Sequence, residues 1–148
     1  MIDLAFKNYT LLEAPENRFF KNILETAAKN KKLRKRSFGV SVNLVGEARM
    51  RELNRKYRRK NKPTDALSFP MEREFKIQNS KFIIQDLGDI FVCLSIAKKE
   101  AKRENISMER KLAQLVVHGF LHLMGYDHER TRKKADEMFD LEMRILSK

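Results

Sequence analysis

Cysteine is almost missing from this chain of 148 residues. Cys93 stands alone, which excludes an internal disulfide framework. Inside DIFVC it suits the role of a small buried hydrophobe. Proline occurs three times and glycine five, and neither clusters. Without a Pro/Gly-rich stretch, a repeat or a low-complexity tract, nothing marks a linker, and one domain over 1–148 is expected. No apolar run nears the roughly 18 residues of a membrane span. The opening MIDLAFKNY has an acid at Asp3 and no apolar stretch long enough for a signal peptide. These absences point to a cytoplasmic protein of a reducing compartment, with no membrane as partner.

What is present is a core and a charge. Apolar residues make up 42% of the chain, with ten Phe, enough to bury about two-thirds of the unfolded-chain surface. Lys and Arg number 32 against 20 Asp and Glu, a net charge of +12. The excess is local. KNKKLRKR (29–36) holds six basic residues and no acid, and RMRELNRKYRRKNK (49–62) holds eight against Glu52 alone. The rest of the chain is close to neutral. Basic runs of this size mark a polyanion partner, because neutralising phosphates releases counterions. Arg55, Arg59, Lys60 and Lys62 are the candidates for phosphate contact. Neither run carries a clear apolar anchoring face of its own, which disfavours a membrane surface.

Periodicity gives a coarse layout. Ile2 to Phe6 reads as a first strand, and Glu16 to Asn30 as a helix with Phe19, Phe20, Ile23, Leu24 and Ala27 at helical spacing. Phe38, Val40, Val42 and Leu44 alternate as a half-buried strand. After Gly46, Met50, Leu53 and Tyr57 form one apolar stripe on a very basic helix. Pro63 and Pro70 bracket a short extended segment, TDALSF. Two further strands are expected at Lys81–Ile84 and Asp89–Leu94, then a charged helix from Ser95 to about Glu104. Ser107 is a candidate N-cap for an apolar helix reaching Met124. A last amphipathic helix spans Ala135 to Leu146. The class is α+β, with a small mixed sheet of about four strands and about five helices.

Histidine is scarce as well, and its placement is the strongest signal. All three histidines fall within HGFLHLMGYDH (118–128). On a helix, His118 and His122 share a face, about 40° and 6 Å apart, which suits two imidazoles on one metal. His128 joins them only if the helix stops. Gly125 stands where a left-handed residue would end the helix and turn the chain back. Three neutral imidazoles leave a fourth position open, as in catalytic zinc sites, although nickel or copper would also be accepted. Asp127 reads equally as a residue orienting an imidazole and as a plain turn residue.

The spacing matches the zinc-protease pattern H-E-x-x-H-x-x-G-x-x-H with one omission. Gly119 replaces the glutamate that serves as general base in those proteases. A glycine costs about 1 kcal/mol in mid-helix, so this one suggests a need for space. The expectation is that a bulky substrate beside the metal fills it.

HGFLHLMGYDH, with LNRKYRRKNKPTDALSFP (53–70) and LGDIFVC (87–93) before it, resembles the YbeY family of bacterial rRNA maturation factors. All the fixed positions of the family pattern H-G-x-L-H-L-x-G-Y-D-H are met. The resemblance implies a single α+β domain and one Zn²⁺ per chain on His118, His122 and His128. It also implies that Arg58 acts beside the metal, whereas the residues alone do not single it out from Arg55 or Arg59. The implied activity is a single-strand-specific endoribonuclease that matures the 3′ end of small-subunit (16S) rRNA and serves ribosome quality control. Its partners are then RNA and ribosomal particles, while the oligomeric state is left open. Two alternatives stand beside this. A metallopeptidase-like hydrolase fits the ligand spacing, and a non-catalytic RNA-binding module with a structural zinc fits the charge.

Overall fold

The computed structural model describes residues 2–29, 37–76 and 83–125. The predicted helix at 135–146, the 29–36 basic run beyond Lys29, Asp127 and His128 lie outside them. Four strands and four helices follow one another along the described chain: β1 (Ile2–Asn8), α1 (Asn17–Ala28), β2 (Phe38–Val45), α2 (Glu47–Arg58), β3 (Ala66–Lys76), β4 (Ile83–Cys93), α3 (Leu94–Glu104) and α4 (Met108–Leu123). The strands make one mixed sheet in the order β1-β2-β4-β3. The β1–β2 and β2–β4 pairs are parallel, while β3 runs antiparallel to β4 and forms an edge.

The alternation in FGVSVNLV decides which way β2 faces. Phe38, Val40, Val42 and Leu44 are buried, whereas Gly39, Ser41 and Asn43 are half-buried on the reverse. The buried set meets Phe20 and Leu24 of α1 and Leu112, Val116, Phe120 and Leu121 of α4 in the main core. A smaller core lies under α2, built from Val45, Met50, Leu53, Leu67 and Cys93, with Phe69, Phe91 and Ile96 packed against it. Cys93 is fully buried. Ser107 caps α4 by accepting a hydrogen bond from Arg110 N at 3.0 Å, which satisfies one of the orphan amides of the first turn.

Two expectations from sequence need correction. Among the described residues, the strands expected at 81–84 and 89–94 merge into one continuous β4, Ile83–Cys93, and Leu94 already opens α3. The polar QDLGD interrupts the apolar pattern, but a bulge carries the pairing through it. Gly88 has φ +124°, and a Cβ there would stand 2.1 Å from the Phe69 carbonyl oxygen, so only glycine fits. The second correction concerns β3, which is not confined to the segment between the prolines but passes through Pro70 to Lys76. Cys93 N donates to Asp65 O at 2.8 Å. By antiparallel alternation, Ala66, Ser68 and Pro70 then turn their main-chain groups to the open edge, where a missing N–H costs no ladder bond.

Helices α3 and α4 are joined by a charged seam. Lys111 Nζ lies 2.7 Å from Glu104 Oε2 and 3.7 Å from Glu100 Oε1. Burial first, and then the neighbouring Asp65 carboxylate, push the Glu100 carboxyl above its ordinary value, with Lys111 pulling the other way. A raised folded-state value means the fold holds this proton more tightly than the unfolded chain does. The associated stability is therefore present at low pH and lost as pH rises through the folded value. Glu100→Gln removes that loss. Its melting temperature should rise relative to wild type as pH goes from about 4 to about 7. Thermal melts of both proteins across that range check this, and a gap that narrows with rising pH would contradict it.

Candidate active site

Helix α4 carries the first two histidines. A spacing of one turn puts His118 and His122 on one face, both half-buried, while Val117, Gly119, Phe120 and Leu121 enter the core. Their Nε2 atoms are 3.0 Å apart, and the ring centroids are 4.6 Å apart at 65°. Two nitrogens on one tetrahedral zinc, each at about 2.0–2.1 Å, would stand roughly 3.4 Å apart. The pair therefore suits a shared metal after a shift of a few tenths of an ångström. The same separation also suits a hydrogen bond when one Nε2 carries a proton. Helix α4 ends as its sequence suggests. Gly125 adopts φ +96° and donates its N–H to His122 O at 3.0 Å, so the chain leaves the helix directly after the second histidine. Among the described residues no group of three or more His, Cys, Asp or Glu gathers as a metal cage.

Arg58 reaches this place from the other face of the sheet. It closes α2, and its Nη2 donates to the Ser68 carbonyl on the open edge of β3 at 3.2 Å. The Ser68 hydroxyl points the other way, 3.5 Å from Gly119 O, the residue after His118. A guanidinium, an edge-strand serine and the histidine helix are thus linked in series. Arg58 is exposed, so the rest of its fork remains available to an oxyanion.

Gly119 does not serve the purpose expected of it. It is buried, and a Cβ there would lie 2.9 Å from Ser68 Oγ and 3.1 Å and 3.3 Å from the two γ-carbons of Ile90. The missing side chain makes room for the sheet rather than for a substrate. The same packing closes the position at which a zinc protease keeps its glutamate.

The basic loop after α2 is also built rather than loose. Asn54, only 3% exposed, donates from Nδ2 to Lys62 O at 2.8 Å and accepts Lys60 N at its own carbonyl at 3.2 Å. Arg59 turns the chain with φ +57°. Arg55 in the last turn of α2 and Arg59, Lys60 and Lys62 along this bend all stay exposed. Asn54 and Ser68 were not singled out by the sequence. The one available signal for Asn54 was a polar residue beside Leu53 on the apolar stripe of α2. Among the described residues no helix is long and apolar enough to cross a membrane.

Comparison with known proteins agrees with this layout. A family model described as endoribonuclease YbeY matches residues 5–148. The chain is similar to an endoribonuclease YbeY of Oenococcus oeni, 40% identical over 112 residues, covering 76% of this chain and 72% of the relative. A Halalkalibacterium halodurans relative of the same name is 38% identical over 131 residues, covering 86% of this chain and 82% of that one. A solution structure of a Thermotoga maritima protein superposes with a TM-score of 0.62 at 30% identity, covering 99% of this chain and 87% of that one.

Proposed function

The chain belongs to the endoribonuclease YbeY family, which makes it a nuclease that cuts RNA internally, and from that premise we propose a zinc-dependent endoribonuclease specific for single strands. In the cell it would act in the cytoplasm, on the 3′ end of small-subunit rRNA in ribosomal particles and in their quality control. What supports the chemistry is one juxtaposition. Arg58 is tied through Ser68 to the turn of α4 that bears the paired imidazoles.

His118 and His122, with His128 as the third ligand, would hold one zinc ion, which supplies Lewis acidity toward a phosphoryl oxygen. The remaining work falls to side chains of the chain itself. Arg58, fixed by Ser68 O, places a planar cation where a scissile phosphate would lie and offsets its growing negative charge. Arg55, Arg59, Lys60 and Lys62 seat neighbouring phosphates, and the Asn54 bonds hold that loop in shape. The peptidase alternative is weakened, because the position after His118 is packed against Ser68 and Ile90 with no carboxylate on it.

The test is single-turnover cleavage of a single-stranded RNA, with zinc content measured in parallel. A hydrogen bond to a charged group contributes about 1.5–3 kcal/mol. Arg58→Ala should therefore slow cleavage by about 10- to 150-fold at unchanged zinc content. Charge reversal within 49–62 should flatten the salt dependence of RNA binding. Analysis of the cut ends separates attack by the ribose 2′-hydroxyl, which leaves a cyclic phosphate, from attack by water. Cleavage by Arg58→Ala at the wild-type rate would remove the arginine from the mechanism. Processing of a small-subunit rRNA precursor no faster than that of an unrelated single strand would remove the rRNA assignment.

A further inference from the structure

Tyr57 is an aromatic side chain left 55% exposed beside Arg58. The two neighbours dock on consecutive residues of the edge strand. Arg58 donates to Ser68 O, while the Tyr57 ring meets the Phe69 ring at 5.1 Å and 63°. Phe69 in turn meets Phe91 at 5.6 Å and 76° and packs on the core under α2. Tyr57 is therefore the outermost member of a three-ring ladder rooted in the fold, with its position set from behind and much of its surface in water. Around it stand the exposed cations Arg55, Lys56, Arg58, Arg59 and Lys60.

We propose that Tyr57 is a stacking platform for one unpaired base of the RNA, next to the phosphate held by Arg58. This deepens the nuclease reading and rests on it. Single-stranded nucleic acid is held by basic grooves with interleaved aromatic rings, where each stacked base contributes about 5- to 150-fold to affinity. In the free chain Lys56 Nζ lies 5.3 Å from the Tyr57 ring centroid. An exposed cation–π contact of that kind is worth only about two- to five-fold. A base therefore displaces the ammonium, and the displaced Lys56 becomes available to a phosphate. Because a ring placed this way needs a base free of its partner, Tyr57 also gives a physical reason for preferring single strands over duplex.

A purely structural Tyr57 would instead cover Phe69. Tyr57→Leu separates the two roles, since leucine covers Phe69 but cannot stack, and Tyr57→Phe keeps both. The probe is a short single-stranded RNA, bound by the whole protein under non-cleaving conditions and read by anisotropy. A second set of oligonucleotides each lacks one base at successive positions. Tyr57→Leu should bind at least about five-fold more weakly, with an unchanged salt slope and a melting temperature close to wild type. Tyr57→Phe should bind within two-fold or so of wild type. At one position, removing the base should weaken wild-type binding yet leave Tyr57→Leu unaffected. Full-strength binding by Tyr57→Leu, or independent losses at every abasic position, would overturn the platform while leaving the nuclease reading in place. Failure of the wild-type protein to bind any RNA would instead bring down the reading on which the platform rests.

Discussion

Replacing His118 or His122 by alanine should strip the protein of metal, from about one ion per chain to a trace, and slow RNA cleavage at least about 1,000-fold. The size follows from what is lost. A metal acting as Lewis acid contributes several kcal/mol of transition-state stabilisation, and that contribution goes whole when the ion no longer binds. Even residues that only orient a ligating imidazole cost 10- to 100-fold or so when removed, and a direct ligand costs more. The fold should survive, because both rings are half-buried and stand apart from the core residues of α4. Alanine is also the better helix former. Metal analysis of purified variants, with circular dichroism as the folding control, decides the matter. His128→Ala should behave in the same way. Retention of the full metal content in either α4 variant would disqualify the pair as ligands.

Gly119→Glu should destabilise the fold rather than merely block the site. On the helix the change gains about 1 kcal/mol of propensity. Against that, the Cβ alone crowds Ile90 and Ser68, and the remaining atoms must enter a packed helix–sheet contact. Overpacking costs about 1–3 kcal/mol, and a carboxylate buried there without a partner adds more, for a net loss of roughly 3–5 kcal/mol. At about 2–4 °C per kcal/mol for a chain of this size, the melting temperature should fall on the order of 10 °C. Metal and activity should fall with it. Gly119→Ala should be nearly neutral. Its closest neighbour, at 2.9 Å, is the Ser68 hydroxyl, which can rotate away, so the helix gain offsets the tightness toward Ile90. A Gly119→Glu protein that melts like wild type, keeps its metal and still fails to cut RNA would restore the idea that this glycine makes room for a substrate.

Gly119 also shows where reading the sequence stops. That a glycine in mid-helix needs a reason follows from local propensity. Which neighbour supplies the reason is a tertiary fact, held by Ser68 some fifty residues earlier. Where the information is local, the sequence suffices. The alternation of β2, the Ser107 cap and the break at Gly125 were all legible, because each depends on residues a turn or less apart. Strand β4 was misread as two, since the bulge at Gly88 is intelligible only against Phe69 on the neighbouring strand. The same limit applies within the site. The spacing of His118 and His122 was plain, but eight basic residues between 49 and 62 look alike in one dimension. Arg58 differs from them through the carbonyl it meets across the sheet.

That carbonyl has a second significance. An edge strand with unpaired main-chain groups is a template on which another copy of the chain can add a strand. In β3 the hazard is blunted by Pro70, which offers no donor, and by Arg58, whose guanidinium occupies the Ser68 acceptor and sets a positive charge along the rim. The residue proposed to meet the substrate phosphate thus also covers one acceptor of an open sheet edge. Neutral replacements of Arg58 should therefore be harder to keep monodisperse than their loss of activity alone would suggest.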